Sequence, residues 1–525
     1  MLSLLKLFFI AVAAFSLVAC SEKDVNPNRD LTLDDFSTMR VSDYVVSLSR
    51  LKQHLDRQVH DDRDTVASDY FLRNYYQQGG RLLWVDRQGV DRRADTLLAY
   101  LRHVDKIGFS PNRFRVPQIE ADLQRMRHLQ FDTLHTASRV VARLEYNLTK
   151  SYLRYVTGQR FGYVNPRVLL NRIDLVDTAR ISLGYRTLFD VGMDTPNRAF
   201  YQRALAKVEA DSVAVFLHDV QPVDSLYRRF AQMLLSTPPQ TPAYSRIMAN
   251  MERRRWRTHR HPQTCPKYVM VNVPAFMLTA VDGETTMQMR VGLGAVSTKT
   301  PLLVSDISRM DLNPQWIIPR SIIRNSVVRH IGDSAYFARN HYIVRERSTG
   351  KTVSWPHFTS DMLLSPAYSV VQKGGEGNSL GRIVFRFPNS FSVYLHDTSS
   401  RGFFRRAVRA VSHGCVRVER PYDLAVFLLA DKDPSVKAKI QYSMTAMLAR
   451  DGEAQADTLK RRMVIRSKSL DPVVPLFITY YTLYPDPQGH MCEYADIYGY
   501  DAVINRYLNL SLIHISEPTR PISIS

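Results

Sequence analysis

The hydrophobic period of the chain changes near Pro266. Before it, apolar residues recur at helical spacing; after it, they alternate. Helices bury a stripe and strands bury a face, so the change predicts a helical unit followed by a β-rich unit. In the first part, Leu97, Leu101 and Val104 fall at steps of four and three, with Gly108 as a stop signal. Val140, Leu144, Leu148, Tyr152 and Tyr155 make one longer stripe that is expected to close at Gly158. These tyrosines read as core. Residues 41–260 are thus expected to form a helical scaffold, and no catalytic constellation is visible in them. The run Arg253-Arg254-Arg255-Trp256-Arg257, followed by His259, Arg260 and His261, reads as a solvated helix end at the junction.

In the second part, Tyr268–Val273, Thr286–Val291, Arg382–Phe387 and Phe391–Leu395 read as strands. Asp282-Gly283 is a hairpin signal between the first two, and Pro388-Asn389-Ser390 a turn between the last two. A β-rich sandwich or barrel-like domain over residues 261–500 follows. The longer, mixed stretch at about 320–377 reads as an inserted lid. The fold class expected is α+β.

Composition bounds the partners. The chain has 525 residues, 45% of them apolar and 23% charged, which excludes disorder or coiled coil for its bulk. Its net charge of +20 favours an anionic partner: nucleic acid, anionic lipid or an acidic polymer. Four cysteines exclude a disulfide-stapled scaffold. Residues 1–19 carry Lys6 and an apolar run, Leu7–Val18, too short to span a bilayer and right for a secretory leader. Leu17-Val18-Ala19-Cys20 resembles a bacterial lipobox, which implies cleavage before Cys20, its lipidation, and a tether over 20–40. Ser21 stands where an inner-membrane retention Asp would be, so an outer-membrane anchor on the periplasmic face is expected. A leader also argues against nucleic acid. The end, Ser511–Ser525, resembles the translation of adapter read-through and is set aside.

Chemistry concentrates between Tyr394 and Leu429. Cys415 sits in Ser412-His413-Gly414-Cys415-Val416-Arg417, and His396 ends the preceding strand 19 positions earlier. A thiol attacks as thiolate, and a neighbouring imidazole can lower its pKa, take its proton and return it to a leaving amine. Gly414 permits a tight backbone, so that local amides such as that of Cys415 can face an oxyanion. The residue types suit acyl transfer through a thioester. Zinc is the competing chemistry: Cys415, His413 and His396 supply three ligand types, but no CxxC or HxxxH pattern supports it. Spacing alone leaves open which histidine is the base. Cys265 and Cys492 stay unassigned, free or paired.

The SHGCVR segment with the upstream His396-Asp397 resembles the catalytic motif of the L,D-transpeptidases. Val271–Phe276, Thr300-Pro301, Asn313–Trp316, Leu380-Gly381, Phe387–Asn389, Tyr394–Thr398, Arg409–Ser412 and Asp423–Ala425 resemble the large periplasmic branch of that family. Leu83–Asp86 and the Leu97 helix resemble its scaffold. The resemblance implies a β-rich catalytic domain with a lid, needing no cofactor and no metal, acting on peptidoglycan stem peptides. Cys415 is then the nucleophile and His396 the base, oriented by the backbone carbonyl of Asp397. His413 and Gly414 shape the oxyanion site, Arg417 clamps a substrate carboxylate, and Tyr394, Trp316 and Ser412 line the pocket. The implied reaction releases D-alanine and makes a 3→3 cross-link. Water or a protein amine as acceptor, and an inactive wall-binding lipoprotein, are the alternatives. A peptidoglycan-binding pattern carried by some members is not found between Tyr185 and Met251.

Overall fold

In the computed structural model, the described residues are 35–36, 41–86, 88–178, 182–354, 357–430, 433–446 and 459–510. The leader, Cys20 and the tail Ser511–Ser525 lie outside them. Among the described residues, no helix is long and apolar enough to cross a membrane.

The helical half is built around α1, Ala137–Phe161, which is buried on nearly every face. Helices Leu48–Asp61, Ala67–Gln77 and Val116–His128 pack around it. A helix so enclosed must pair its polar side chains. Glu145 accepts from the Tyr76 hydroxyl at 2.7 Å and from the Leu83 and Trp84 amides at 2.7 and 2.9 Å. Lys150 meets Asp62 and Asp64 at 2.5 and 2.8 Å, and Arg154 meets Asp64 and Asp69 at 2.6 Å each. The apolar stripe is core, as its spacing implies. The helix runs past the expected stop at Gly158 to a cap at Gly162, where φ is +92°. Gly158 is instead a packing glycine: a Cβ there would lie 2.1 Å from the Tyr163 ring.

Helix α2, Pro242–Arg255, ends on the arginine run. Its end is a junction, as expected, but not a solvated one. Arg253 and Arg255 are buried. Arg253 pairs with Asp501 at 2.6 Å, Arg254 donates to Asp224 through Nε at 3.0 Å, and Arg255 donates to Glu252 at 3.1 Å and Tyr227 at 3.0 Å. The run serves internal pairing between halves of the chain. Asp501 lies on α3, Tyr500–Leu510, which returns to pack on α2.

The β half is a closed barrel. Its strands are β1 Lys267–Asn272, β2 Met277–Asp282, β3 Thr285–Gly294, β4 Leu302–Leu312, β5 Ile383–Arg386, β6 Leu395–His396, β7 Val416–Val418 and β8 Ser467–Thr479. The ladder runs β5-β6-β7-β3-β2-β1-β8-β4, and β4 pairs back to β5. Closure leaves no free edge in that ring. The Asp282-Gly283 turn is present, with Gly283 at φ +58°, but it joins β2 to β3. The alternation reading passed over β2, whose Met277–Asp282 run is less regular. Phe189–Asp190 of the scaffold half adds a short parallel strand beside β4. The hydrophobic core is continuous from helices to barrel.

Between β4 and β5 lies the inserted segment expected as a lid, with a sheet of Trp316–Ile317, Tyr342–Glu346, Thr352–Val353 and Tyr368–Gln372. It has its own core of Ile318, Ile323, Val327, Phe337, Val344, Leu363 and Val370. Its two connections touch: a Cβ on Gly374 would lie 2.4 Å from the Asn313 carbonyl oxygen.

Candidate active site

Strands β6 and β7 run parallel, with Leu395 opposite Val416 and His396 opposite Arg417. Side chains alternate along a strand. Leu395, Val416 and Val418 therefore turn one way, and all are fully buried. Tyr394, His396, Cys415 and Arg417 turn the other way. Across β5, His396 stands opposite Val384, so Arg386 joins the same face. The register aligns His396 with Arg417, and Tyr394 and Cys415 stand just ahead of the two strands.

The cysteine turn is closed internally. The Ser412 hydroxyl donates to the Cys415 carbonyl at 2.6 Å and accepts from the Gly414 amide at 3.1 Å. Its hydrogen bonding is thus engaged within the turn. Gly414 has φ +117°, a region that an L side chain rarely adopts. His413 is exposed. Cys415 is half-buried, and its thiol reaches the Ser392 carbonyl at 3.9 Å.

His396 is buried, and its Nδ1 lies 2.5 Å from the Asp397 carbonyl oxygen. A carbonyl only accepts, so Nδ1 carries the proton, and Nε2 of the neutral ring is left as the acceptor. The Asp397 carboxylate accepts from the Arg382 amide at 2.8 Å and pairs with Arg401 at 3.2 Å, which fixes the segment. Gly381 lets that carboxylate approach: a Cβ there would lie 2.4 Å from Asp397 Cγ.

Burial, then the Arg417 charge, lowers the imidazole pKa to about 4. Burial raises the Cys415 thiol above its usual range, against the pull of the Tyr394 amide, Arg417 and Arg386. The resting pair is therefore neutral thiol and neutral imidazole. The expected lowering of the thiol by its histidine is not what the surroundings produce. Desolvation outweighs the nearby charges.

Arg417 is the motif arginine. Its guanidinium lies 5.7 Å from the Phe403 ring centroid, and its Nε has no hydrogen-bond partner among the described residues. Gly292, opposite Arg417 on β3, makes room for that ring: a Cβ would lie 2.6 Å from Phe403 Cε2. Trp316 belongs to the lid sheet, opposite Gln372, and packs against the lid core. Arg386 was missed by sequence reading. It stacks 4.5 Å from the Tyr394 ring centroid and donates to Asp311 at 2.8 Å. Only the register of β5 against β6 could have shown it. Among the described residues, no three His, Cys, Asp or Glu side chains group as a metal site. Cys265 and Cys492 are free thiols.

Residues 266–438 match the model of the L,D-transpeptidase catalytic domain, and residues 70–234 that of a scaffold domain. The chain carries an L,D-transpeptidase catalytic domain. A protein of Haemophilus influenzae named "Putative L,D-transpeptidase" is 28% identical over 319 residues, 59% of this chain and 60% of that relative. The L,D-transpeptidase match begins at the change of period and spans the barrel from β1 through the cysteine turn, lid included.

Proposed function

We propose that the protein is a peptidoglycan L,D-transpeptidase that forms 3→3 cross-links through a thioester on Cys415. The observation that carries this reading is His396 opposite Arg417 on two parallel strands, with Tyr394 and Cys415 standing immediately before those strands. In the first step, Cys415 sulfur attacks the carbonyl joining the third stem residue to the terminal D-alanine. Its proton passes to His396 Nε2. The C–N bond then breaks, the imidazolium returns the proton to the leaving amine, and D-alanine departs. In the second step, the side-chain amine of another stem's third residue attacks the thioester. His396 accepts its proton and passes it to the released sulfur. The backbone amide of Cys415 faces the developing oxyanion, that of Gly414 being bonded to the Ser412 hydroxyl. Arg417, with Nε unpaired, suits a substrate carboxylate.

The reading extends to location. The leader and Cys20 make it a lipid-anchored enzyme on the periplasmic face, held at the outer membrane. Its basic surface then meets the acidic envelope, and nucleic acid is no partner. Incubation with a disaccharide-tetrapeptide should yield free D-alanine and a cross-linked dimer by mass. Cys415→Ala should yield neither. Free tripeptide without dimer would make water the acceptor, and no reaction by the wild type would leave a wall-binding protein. The mass of the mature envelope form tests the lipid on Cys20.

A further inference from the structure

The cysteine turn rests on a second loop, Gly294–Thr300, that neither the motif nor the reaction explains. Two hydroxyls of that loop end on carbonyls of the turn. Thr298 donates to the Ser412 carbonyl and Thr300 to the Gly414 carbonyl, each at 2.9 Å. The Ala295 amide also donates to the Ser412 carbonyl at 2.9 Å. Thr300 is completely buried, and its hydroxyl oxygen accepts from the Gly294 amide at 2.9 Å. A hydroxyl has one proton, so this acceptance leaves that proton aimed at Gly414.

The loop is itself held by Tyr498. Its hydroxyl donates to the Gly294 carbonyl at 2.6 Å and accepts from the Thr300 amide at 3.1 Å. The approach is too tight for a side chain on Gly294: a Cβ would lie 2.1 Å from the Thr298 carbonyl oxygen. From the other side, Lys299 pairs with Asp174 at 2.6 Å, and Arg186 donates to the Ser297 carbonyl at 2.8 Å.

The geometry of the peptide unit gives this bracket a role. In a trans peptide, the carbonyl and the following amide point in opposite directions. Fixing the Gly414 carbonyl toward buried Thr300 therefore turns the Cys415 amide away from the bracket, to the reacting side. Gly414, at φ +117°, is free of the steric limits that would hold this peptide in place unaided. A flipped peptide would present a carbonyl to the oxyanion in place of a donor.

We propose that Thr300, held by Tyr498, is a positioning residue that keeps the Gly414–Cys415 peptide in the oxyanion-binding orientation; this rests on the acyl-transfer reading above. The test uses the full chain as wild type, Thr300→Val, Thr300→Ser and Tyr498→Phe. D-Alanine release from a disaccharide-tetrapeptide gives kcat and KM, and alkylation of Cys415 by iodoacetamide, which forms no oxyanion, is followed by mass. Thr300→Val should lower kcat by roughly 10²- to 10³-fold, the cost of losing one oxyanion donor. Its KM and alkylation rate should stay within about threefold of wild type, because only the transition state is affected. Thr300→Ser should restore most of kcat, and Tyr498→Phe should fall between. An unchanged kcat in Thr300→Val, a parallel loss of alkylation, or a failure of Thr300→Ser to rescue would overturn the proposal. If the wild type alkylates but releases no D-alanine, the acyl-transfer reading falls and takes this inference with it. If the wild type reacts and Thr300→Val matches it, only the inference falls.

Discussion

His396 and Arg417 stand opposite each other on neighbouring parallel strands, a buried imidazole beside a permanent cation. The pair has a consequence for stability. The folded-state imidazole pKa is lowered to about 4, from 6.5. Between those values the unfolded chain binds the proton and the folded chain does not, so stability falls as pH falls from 6.5 toward 4. The contribution is about 3 kcal/mol at 1.36 kcal/mol per pKa unit. Denaturant melts from pH 7 to pH 4 should show the wild type losing about that much more than His396→Gln. Parallel losses would mean that His396 is not held neutral.

The thiol should titrate high. Burial raises Cys415, while Arg417 and Arg386 pull it back down. Iodoacetamide alkylation should therefore rise with pH through a midpoint above that of a free thiol. Arg417→Gln removes one opposing charge and should slow alkylation at pH 8 by roughly three- to tenfold, about half to one pKa unit. Faster alkylation would reverse the sign assigned to the arginine.

Arg386 should matter to turnover more than to folding. It touches the Tyr394 ring on the thiol's face and is anchored by Asp311. Arg386→Met should lower kcat/KM for D-alanine release by roughly 10- to 100-fold, with stability changed by no more than about 1 kcal/mol. Arg386→Lys should recover only part, because a lysine cannot both stack and pair in the same plane. Full activity in Arg386→Met would remove it from the site.

The scaffold should fail at its charges before its apolar stripe. Lys150 is buried between Asp62 and Asp64. Lys150→Met leaves two carboxylates short of a partner and should cost about 3 kcal/mol in chemical denaturation. An equal or higher melting point would show that the network is replaceable by apolar packing.

Gly158→Ala sets two effects against each other. Alanine should favour an exposed helix interior by about 1 kcal/mol. Here its Cβ would lie 2.1 Å from the ring of Tyr163, in a core with no slack. Overpacking of this kind costs about 1–3 kcal/mol, so the variant should melt below the wild type.

Much of this was legible in the sequence because period, turn residues and the SHGC motif are local signals. The change near Pro266 and the stripe from Val140 to Tyr155 needed only nearby residues, while the choice of His396 over His413 rested on the family motif. What escaped was set by register or by distant partners. Arg386 joins the site because β5 aligns Val384 with His396. Thr300 meets the turn across 114 residues of chain, and Tyr498 holds the loop of Thr300 at Gly294 across 204. Gly158 looked like a helix stop, but its lack of a side chain is used sideways, by Tyr163. The arginines before Trp256 looked solvated because their acids, Asp224 and Asp501, lie far off in sequence.

The closed ladder also imposes a timetable. The barrel ring is completed by β8, Ser467–Thr479, and the loop beneath the thiol is propped by Tyr498. Both follow the thiol and its histidine in the chain, and so are made after them. A ribosome-bound or C-terminally shortened chain thus holds every motif residue but lacks the parts that seat them. The seating of the cysteine turn therefore waits on segments made after it.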